Sequence, residues 1–494
     1  MRQAELIFDD RVAVGTIEET IFGSFIEHMG RSVYGGFYDP EHKTANDCGF
    51  REDVISAVRD LNISTVRYPG GNFVSGYDWK KGVGEKRVPC LELAWKEIES
   101  NRVGVDEFME FAKQCGFETM MAVNLGTGSP QSAAELVEYC NGPAGGCWSN
   151  QRIANGHEQP YGIKRWCLGN EMDGDWQISS LPAQEYAQKA LTAARMMRRI
   201  DPDLELIACG SSNNVIASYP AWDRIVLETL YDEVDYLSVH TYYYTSDEDT
   251  DHASYLGSYK DFEDILHTIT AVCDYVKAVK RSSKTMKLSV DEWNVWRHYP
   301  MEDGKDLWTE APERLECTYN LLDAIVFSSL LCVLLNHCDR VKMACLAQLI
   351  NVIAPIRTIP GGAMFRQTIY YPFQAAAAHM KGKILRSEVH SPEIVCDKYG
   401  RYGSVAAAVA LDEAVLTVLA VNLDLTEEVE LCIGFRKKLK MIEWYELYDP
   451  DADAKNSFEQ PQAVELKKKD TSEKMILKPH SFHLLIFDVI ELDI

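Results

Sequence analysis

The segment RWCLGNEMDG, residues 165–174, joins a strand-like apolar run to an abrupt polar end: Arg165–Gly169 is short and bulky, and Asn170 and Glu171 follow at once. A run of this length between turn residues reads as a strand covered on both faces of a sheet. A helix-period stretch, Pro182–Ile200, comes next. One βα unit is therefore predicted, with its polar groups at the strand's C-terminal end.

The same unit recurs on both sides of this segment. Strands are expected at Gly23–Glu27, Thr65–Arg67, Thr119–Asn124, Glu205–Cys209, Tyr236–His240, Lys287–Asp291 and Arg340–Ala347. Helices are expected at Asp53–Leu61, Val105–Cys115, Ser132–Cys140, Trp222–Leu230, Tyr259–Lys280, Leu315–Leu335 and Ile369–His379. Eight alternating units make the arithmetic of a closed (β/α)8 TIM barrel, an α/β fold, over residues 20–383. After it the texture changes to β-branched runs such as Val405–Ala410, Val415–Asn422, Glu427–Ile433, Lys440–Glu446 and Ser481–Val489. A small antiparallel β domain is predicted over 384–494, with a strand from 1–19, Ala4–Phe8, able to join it.

Charge narrows the function classes. Fifty Lys and Arg stand against 75 Asp and Glu, a formal net charge of -25, which repels nucleic acid and anionic lipid surfaces and leaves neutral sugars open. The N-terminus lacks an apolar run of signal-peptide length, so a cytoplasmic protein is expected. The 14 cysteines are scattered and read as reduced, mostly buried thiols. Leu321–Leu335 is too short to span a bilayer and contains Asp323.

In such a barrel the chemistry lies just beyond the strand ends. Reading those positions gives Glu27, Arg67, Asn72, Asn124, Asn170, Glu171, His240, Tyr242, Asp291, Glu292 and Gln348. Glu171 and Glu292 end strands four and seven, which face each other across a ring of eight. Paired carboxyls are the machinery of glycoside hydrolysis, and close spacing gives a retaining mechanism with one nucleophile and one acid/base. Arg67 and Tyr242 are expected to keep Glu292 ionised as nucleophile. Glu171 is expected to hold its proton to higher pH as general acid, and Asn170 to reach the sugar's 2-hydroxyl. Asp291 reads as a solvated or salt-bridged loop residue. Of Trp95, Trp176 and Trp296, the last is favoured as a wall of the site because it follows Glu292 closely.

Other signals are weaker. Gly70-Gly71 reads as a tight turn presenting Asn72, since no Lys-Ser/Thr follows as a phosphate loop requires. Asp247, Asp249 and Asp251 mimic the start of a calcium loop, but His252 and Ser258 stand where Gly and Glu are needed. No metal site and no cofactor are predicted.

The stretches GSFIEHMGRSVYGG (23–36), VRYPGGNFVSGYDWKKGVG (66–84), MAVNLGTG (121–128), WCLGNEMDG (166–174), LSVDEWNVW (288–296) and ACLAQLINVIAP (344–355) together resemble the intracellular α-L-arabinofuranosidases of glycoside hydrolase family 51. The resemblance implies Glu171 as acid/base and Glu292 as nucleophile, acting through a covalent arabinosyl-enzyme with retention. It implies sugar contacts for Glu27, Asn72, Asn170 and Gln348, and site-supporting roles for Arg67, His240 and Tyr242. It also implies a C-terminal β-sandwich, an arabinofuranosyl oligosaccharide substrate and a homo-oligomer, commonly a hexamer. Two departures from the family pattern, Thr241 within His240-Thr241-Tyr242-Tyr243 and Asp78 where Asn is usual, bear on the aglycone side. The competing readings are another retaining glycosidase of the same clan, an endo-glucanase or β-xylosidase, and a non-catalytic sugar-binding barrel.

Overall fold

The structure, a computed structural model, describes residues 2–297 and 307–490. Its centre is a closed barrel of eight parallel strands in chain order: β1 (Gly23–Phe25), β2 (Thr65–Tyr68), β3 (Glu118–Ala122), β4 (Arg165–Leu168), β5 (Glu205–Ala208), β6 (Tyr236–Thr245), β7 (Lys287–Arg297) and β8 (Val341–Ala347). Gly23 is where β1 meets both neighbours. A Cβ there would stand 2.7 Å from the Ala344 carbonyl and 2.7 Å from Thr65 Cγ2, so closure of the ring requires glycine. The floor of the barrel is filled by side chains including Phe25, Met120, Cys167, Ile207, Met343 and Cys345.

β6 and β7 run past the point where their apolar stretches end. They pair in register as Glu292↔His240, Asn294↔Tyr242 and Trp296↔Tyr244. The register shifts between Ser289 and Glu292, a bulge that places one extra residue on β7. Bulges re-aim side chains next to active sites. Here the consecutive residues Asp291 and Glu292 both come within ion-pair distance of His240.

The helix expected at Leu315–Leu335 starts later, at Leu321, and runs to Asn336. Asn320 caps it: its side chain accepts from the Asp323 N–H, while the Asp323 carboxylate accepts from the Asn320 N–H. Every residue from Leu321 to Leu335 is buried, because the helix is packed between the barrel and the C-terminal sheet. No helix among the described residues is long and apolar enough to cross a membrane.

Beyond helix Tyr370–His379 the chain enters a nine-stranded sheet that also takes up the N-terminal strand Arg2–Thr16. Its pairings are antiparallel except for Arg2–Thr16 beside Val429–Gly434, which is parallel. The sheet curls round its own core, since Leu6 and Leu431 from one end share a cluster with Trp444 and Leu485 from the other. The cysteines stand as free thiols, mostly buried.

Candidate active site

Glu292 on β7 is buried and held at both oxygens. Arg67 Nη1 donates to Oε1 at 2.7 Å and the Tyr242 hydroxyl to Oε2 at 2.8 Å. Arg67 also donates from Nη2 to Asn170 Oδ1 at 2.6 Å. The Asn170 amide nitrogen is buried without a protein acceptor.

Glu171 follows β4 and adopts φ 42°, a left-handed conformation uncommon for a residue with a side chain. Such conformations persist where the surroundings over-determine them, and cluster at working sites. Its carboxylate accepts from Trp176 Nε1 at 2.6 Å, Gln177 Nε2 at 3.2 Å and His240 Nδ1 at 3.0 Å. Carboxylate oxygens of Glu171 and Glu292 and a ring nitrogen of His240 all lie within 4.8 Å of one another. Three such atoms could hold a metal ion by spacing alone. Each carboxylate, however, already accepts at least two N–H or O–H donors, so the set is built to hold protons and negative charge.

His240 bridges the carboxylates. Its Nδ1 lies 3.0 Å from Glu171 and 3.6 Å from Glu292, and its Nε2 3.3 Å from Asp291 Oδ1. Burial disfavours its charge, but Glu292, Asp291 and Glu171 outweigh this and raise its pKa well above the ordinary imidazole value. Burial opposes ionisation of Glu171 too, yet the hydrogen bond and charge of His240 leave its pKa lowered. Glu292 is raised, because burial and repulsion from Glu171 together prevail over His240 and Arg67. These directions reverse the sequence expectation. The reason is His240, which sits closer to Glu171, at 3.0 Å, than to Glu292, at 3.6 Å.

Asp291 is also corrected. It is not in a loop but buried in β7, where it accepts a short hydrogen bond from Ser238 Oγ, lies 3.7 Å from Arg67 Nε and has its pKa lowered against burial chiefly by His240. It holds His240 from beneath, and the signal for that role was the bulge, which composition does not reveal.

The opposite wall carries Glu27, Asn72 and Gln348. Glu27 Oε1 accepts from the Phe73 N–H at 2.9 Å and from Trp95 Nε1 at 2.9 Å, and Gln348 Nε2 donates to Oε2 at 3.3 Å. Burial raises the Glu27 pKa to about 8, against those two N–H donors. A Cβ on Gly71 would stand 3.1 Å from Glu27 Oε2 and 3.4 Å from Glu292 Oε1, so the glycine keeps the space between two carboxylates open. Asn72 faces the same cavity and accepts a short hydrogen bond from Gln177. Trp296 lines the cavity with its ring 5.4 Å from Tyr242 and 5.3 Å from Tyr244.

Trp95, Trp176 and Gln177, which hydrogen-bond to Glu27, Glu171 and Asn72, are contacts in the candidate site that sequence reading undervalued. All three lie in loops, where no periodicity marks them. Asn124 instead ties its loop, donating to the Tyr77 carbonyl at 2.9 Å. Asp78 caps the turn Trp79–Gly82 and is not part of the cavity, so of the two departures only Thr241 borders the site. The acidic loop is accounted for structurally: Asp247 pairs with Arg297, Asp249 accepts from the Ser246 N–H, and Asp251 caps the helix His252–Leu256.

Two family models cover much of the chain: the α-L-arabinofuranosidase 1 domain matches residues 57–261 and the α-L-arabinofuranosidase C-terminal domain matches 291–481. Among curated relatives, the intracellular exo-α-(1→5)-L-arabinofuranosidase 1 of Bacillus subtilis (strain 168) is 48% identical over 85% of this chain and 85% of its own length. The intracellular exo-α-(1→5)-L-arabinofuranosidase of Halalkalibacterium halodurans is 47% identical over 88% of this chain and 87% of its own. Among solved structures, a family 51 α-L-arabinofuranosidase from Bifidobacterium longum superposes with a TM-score of 0.94 at 37% identity, covering 99% of this chain and 100% of that one. The chain belongs to the α-L-arabinofuranosidases of glycoside hydrolase family 51.

Proposed function

We propose that this chain is a retaining, exo-acting α-L-arabinofuranosidase that removes terminal non-reducing α-L-arabinofuranosyl groups from arabinose-containing oligosaccharides. The observation that carries the mechanism is the approach of Glu171 and Glu292, with carboxylate oxygens within 4.8 Å. Retaining enzymes hold their carboxyls about 5–5.5 Å apart, whereas inverting ones need about 6.5–9.5 Å to admit a water between.

Glu292 attacks the anomeric carbon as the glycosidic C–O bond breaks, and the leaving oxygen takes a proton from Glu171. His240 Nδ1, 3.0 Å from Glu171, is placed to exchange that proton with it. Arg67 and Tyr242 stabilise the carboxylate form of Glu292 as it is regenerated. Water, deprotonated by Glu171, then attacks the arabinosyl-Glu292 ester and restores both groups. Glu27, Asn72, Asn170 and Gln348 take the ring hydroxyls, and Trp296 walls the ring.

In this reading the barrel, 20–383, is the catalytic unit, and 384–494 with a strand from 1–19 is its companion. The (1→5) linkage in the two relatives' names, together with their intracellular description, supports cleavage of arabinan fragments inside the cell. The family resemblance supports a homo-oligomer, with a hexamer as the form to seek by light scattering. A panel of p-nitrophenyl glycosides tests the sugar: α-L-arabinofuranoside is expected to be cleaved fastest. Faster turnover of β-xyloside or β-glucan would replace the substrate, and binding without turnover would replace the activity.

A further inference from the structure

Three glutamates on one small hairpin are buried, and no step of the reaction uses them. The hairpin pairs strand Cys90–Glu92 with strand Glu97–Glu99, and one face carries Glu92, Glu97 and Glu99, each no more than 7% exposed. Glutamate is almost never this buried unless it is paired. Leu91 on the other face is open to solvent, so the hairpin's inner grip is polar. Two strands of three residues each are marginal in water on their own. The hairpin's position therefore depends on what these carboxylates hold.

They hold the chain that leaves β1. Trp95, in the hairpin's turn, donates to Glu27. Glu99 Oε2 lies 2.8 Å from His28 Nδ1, and Glu97 Oε2 accepts from the Gly30 N–H at 3.0 Å. Glu92 shapes the turn itself, accepting from the Ala94 and Trp95 N–H groups at 2.7 and 2.6 Å.

We propose that His28 and Glu99 are positioning residues for the sugar ring: their buried pair fixes the hairpin against the chain after β1 and so seats Trp95 on Glu27 in the wall of the ring pocket. The inference rests on the glycosidase reading above and adds what holds that wall in place.

Both partners are braced by neighbours that leave little freedom. His28 Nε2 lies 2.8 Å from the Tyr68 hydroxyl on β2, and its ring stacks on Phe73 at 4.7 Å. Phe73 is also the residue whose N–H holds Glu27. Glu99 Oε1 accepts from the Tyr34 hydroxyl at 2.5 Å and the Asn101 N–H at 2.6 Å. Burial opposes ionisation of Glu99, yet the charge and hydrogen bond of His28 leave its pKa lowered.

Space favours positioning over binding. The cavity that His28 and the three glutamates border is about 10 Å3, room for one water at most. A buried pair of this kind adds little stability over an apolar pair of the same volume, and what it supplies is a directional contact.

The hairpin's remaining side is closed by residues 309–314. Arg314 Nε donates to Glu97 Oε1 at 3.1 Å, and the Ile98 N–H to the Thr309 carbonyl at 3.0 Å. Gly30, at φ 51°, is where the layers meet: a Cβ there would stand 2.8 Å from Arg314 Cβ and 3.0 Å from the Pro312 carbonyl. With so little slack, a shift at the His28–Glu99 pair is passed on to Trp95.

The test is a double-mutant cycle of Glu99→Gln with Trp95→Phe in the full chain, read on p-nitrophenyl α-L-arabinofuranoside. Glu99→Gln keeps the side chain's shape and removes the charge facing His28. Alone it should raise KM about five- to fiftyfold and change kcat less than about threefold, because the hairpin contacts neither Glu171 nor Glu292. In the Trp95→Phe background it should raise KM less than about threefold, since the contact it positions is already lost. Equal factors in the two backgrounds, or an unmoved KM, overturn the proposal. His28→Gln should repeat the pattern and replaces Glu99→Gln if that protein does not fold. Tyr161→Phe, which removes a hydrogen bond to Asp106 outside the cavity, should leave KM unchanged. A matching rise there would mean that lost stability alone moves KM, and the pair's role would fall. If the native chain prefers another glycoside, the function reading fails instead, and the same cycle on that glycoside decides the pair.

Discussion

Glu171 and Glu292 are the same residue type a few ångströms apart, and they differ in what is aimed at them. Glu292 accepts from a permanent cation, Arg67, and from a phenol, Tyr242; neither can hand over a proton at neutral pH. Glu171 accepts from two neutral donors, Trp176 and Gln177, and from His240, which can. The lesson is that the partner's ability to transfer a proton, more than the resting charge, separates a nucleophile from an acid/base. Glu292 is buried and Glu171 nearly so, with side chains 7% and 11% exposed, and burial alone treats them alike.

The largest expected effect comes from deleting one side of this comparison. Glu292→Ala should lower kcat by on the order of 10⁴-fold or more on every substrate, measured by steady-state turnover, because no other group can form the glycosyl ester. Glu171→Ala should depend on the leaving group. Loss of roughly 10²–10⁴-fold is expected on arabino-oligosaccharides, with a much smaller loss on the nitrophenyl glycoside. Azide should accelerate that variant and give the α-azide, whereas a β-azide would mean the two roles are exchanged.

Next comes the support beneath His240. Asp291→Asn should shift the pH profile of kcat/KM downward on its basic side, since His240 loses a negative neighbour and gives up its proton earlier. An unmoved profile would show that Asp291 serves packing alone.

Glu27 predicts a gentler pH effect. Its pKa in the folded protein is raised to about 8 from 4.5, so the folded state binds the proton more tightly. Its contribution to stability is full below the ordinary carboxyl value and is lost as pH rises through about 8. His240 acts with the same sign, fully below its ordinary imidazole value and fading above it. Glu27→Gln should therefore flatten the fall in melting temperature on the alkaline side. At the small end, Asp78→Asn should change kcat/KM less than twofold, because Asp78 only caps a turn.

The barrel was legible because each strand is a short apolar run with a helix-period stretch after it, and every expected strand lies within a few residues of the observed one. What misled was hydrophobicity beyond its proper boundary. Leu315–Asn320 looked helical with the run that follows, although the Asn320-Asp323 capping pair marks the true start. The ends of β6 and β7 were set too early for the opposite reason, since polar site residues continue the strands. Glu171 and Glu292 could be picked out because they stand directly at strand ends, but their unequal relation to His240 depends on a one-residue bulge. Trp95 and Gln177 reach the site from loops, and only the folded chain brings them there.

The most direct test of the central claim is the configuration of the first sugar released, read by proton NMR within minutes of adding the native enzyme to an α-L-arabinofuranoside. A double displacement on Glu292 gives the α-anomer first, with the β-anomer appearing later by mutarotation. Initial release of the β-anomer would mean a single displacement by water, and Glu292 would not be a nucleophile.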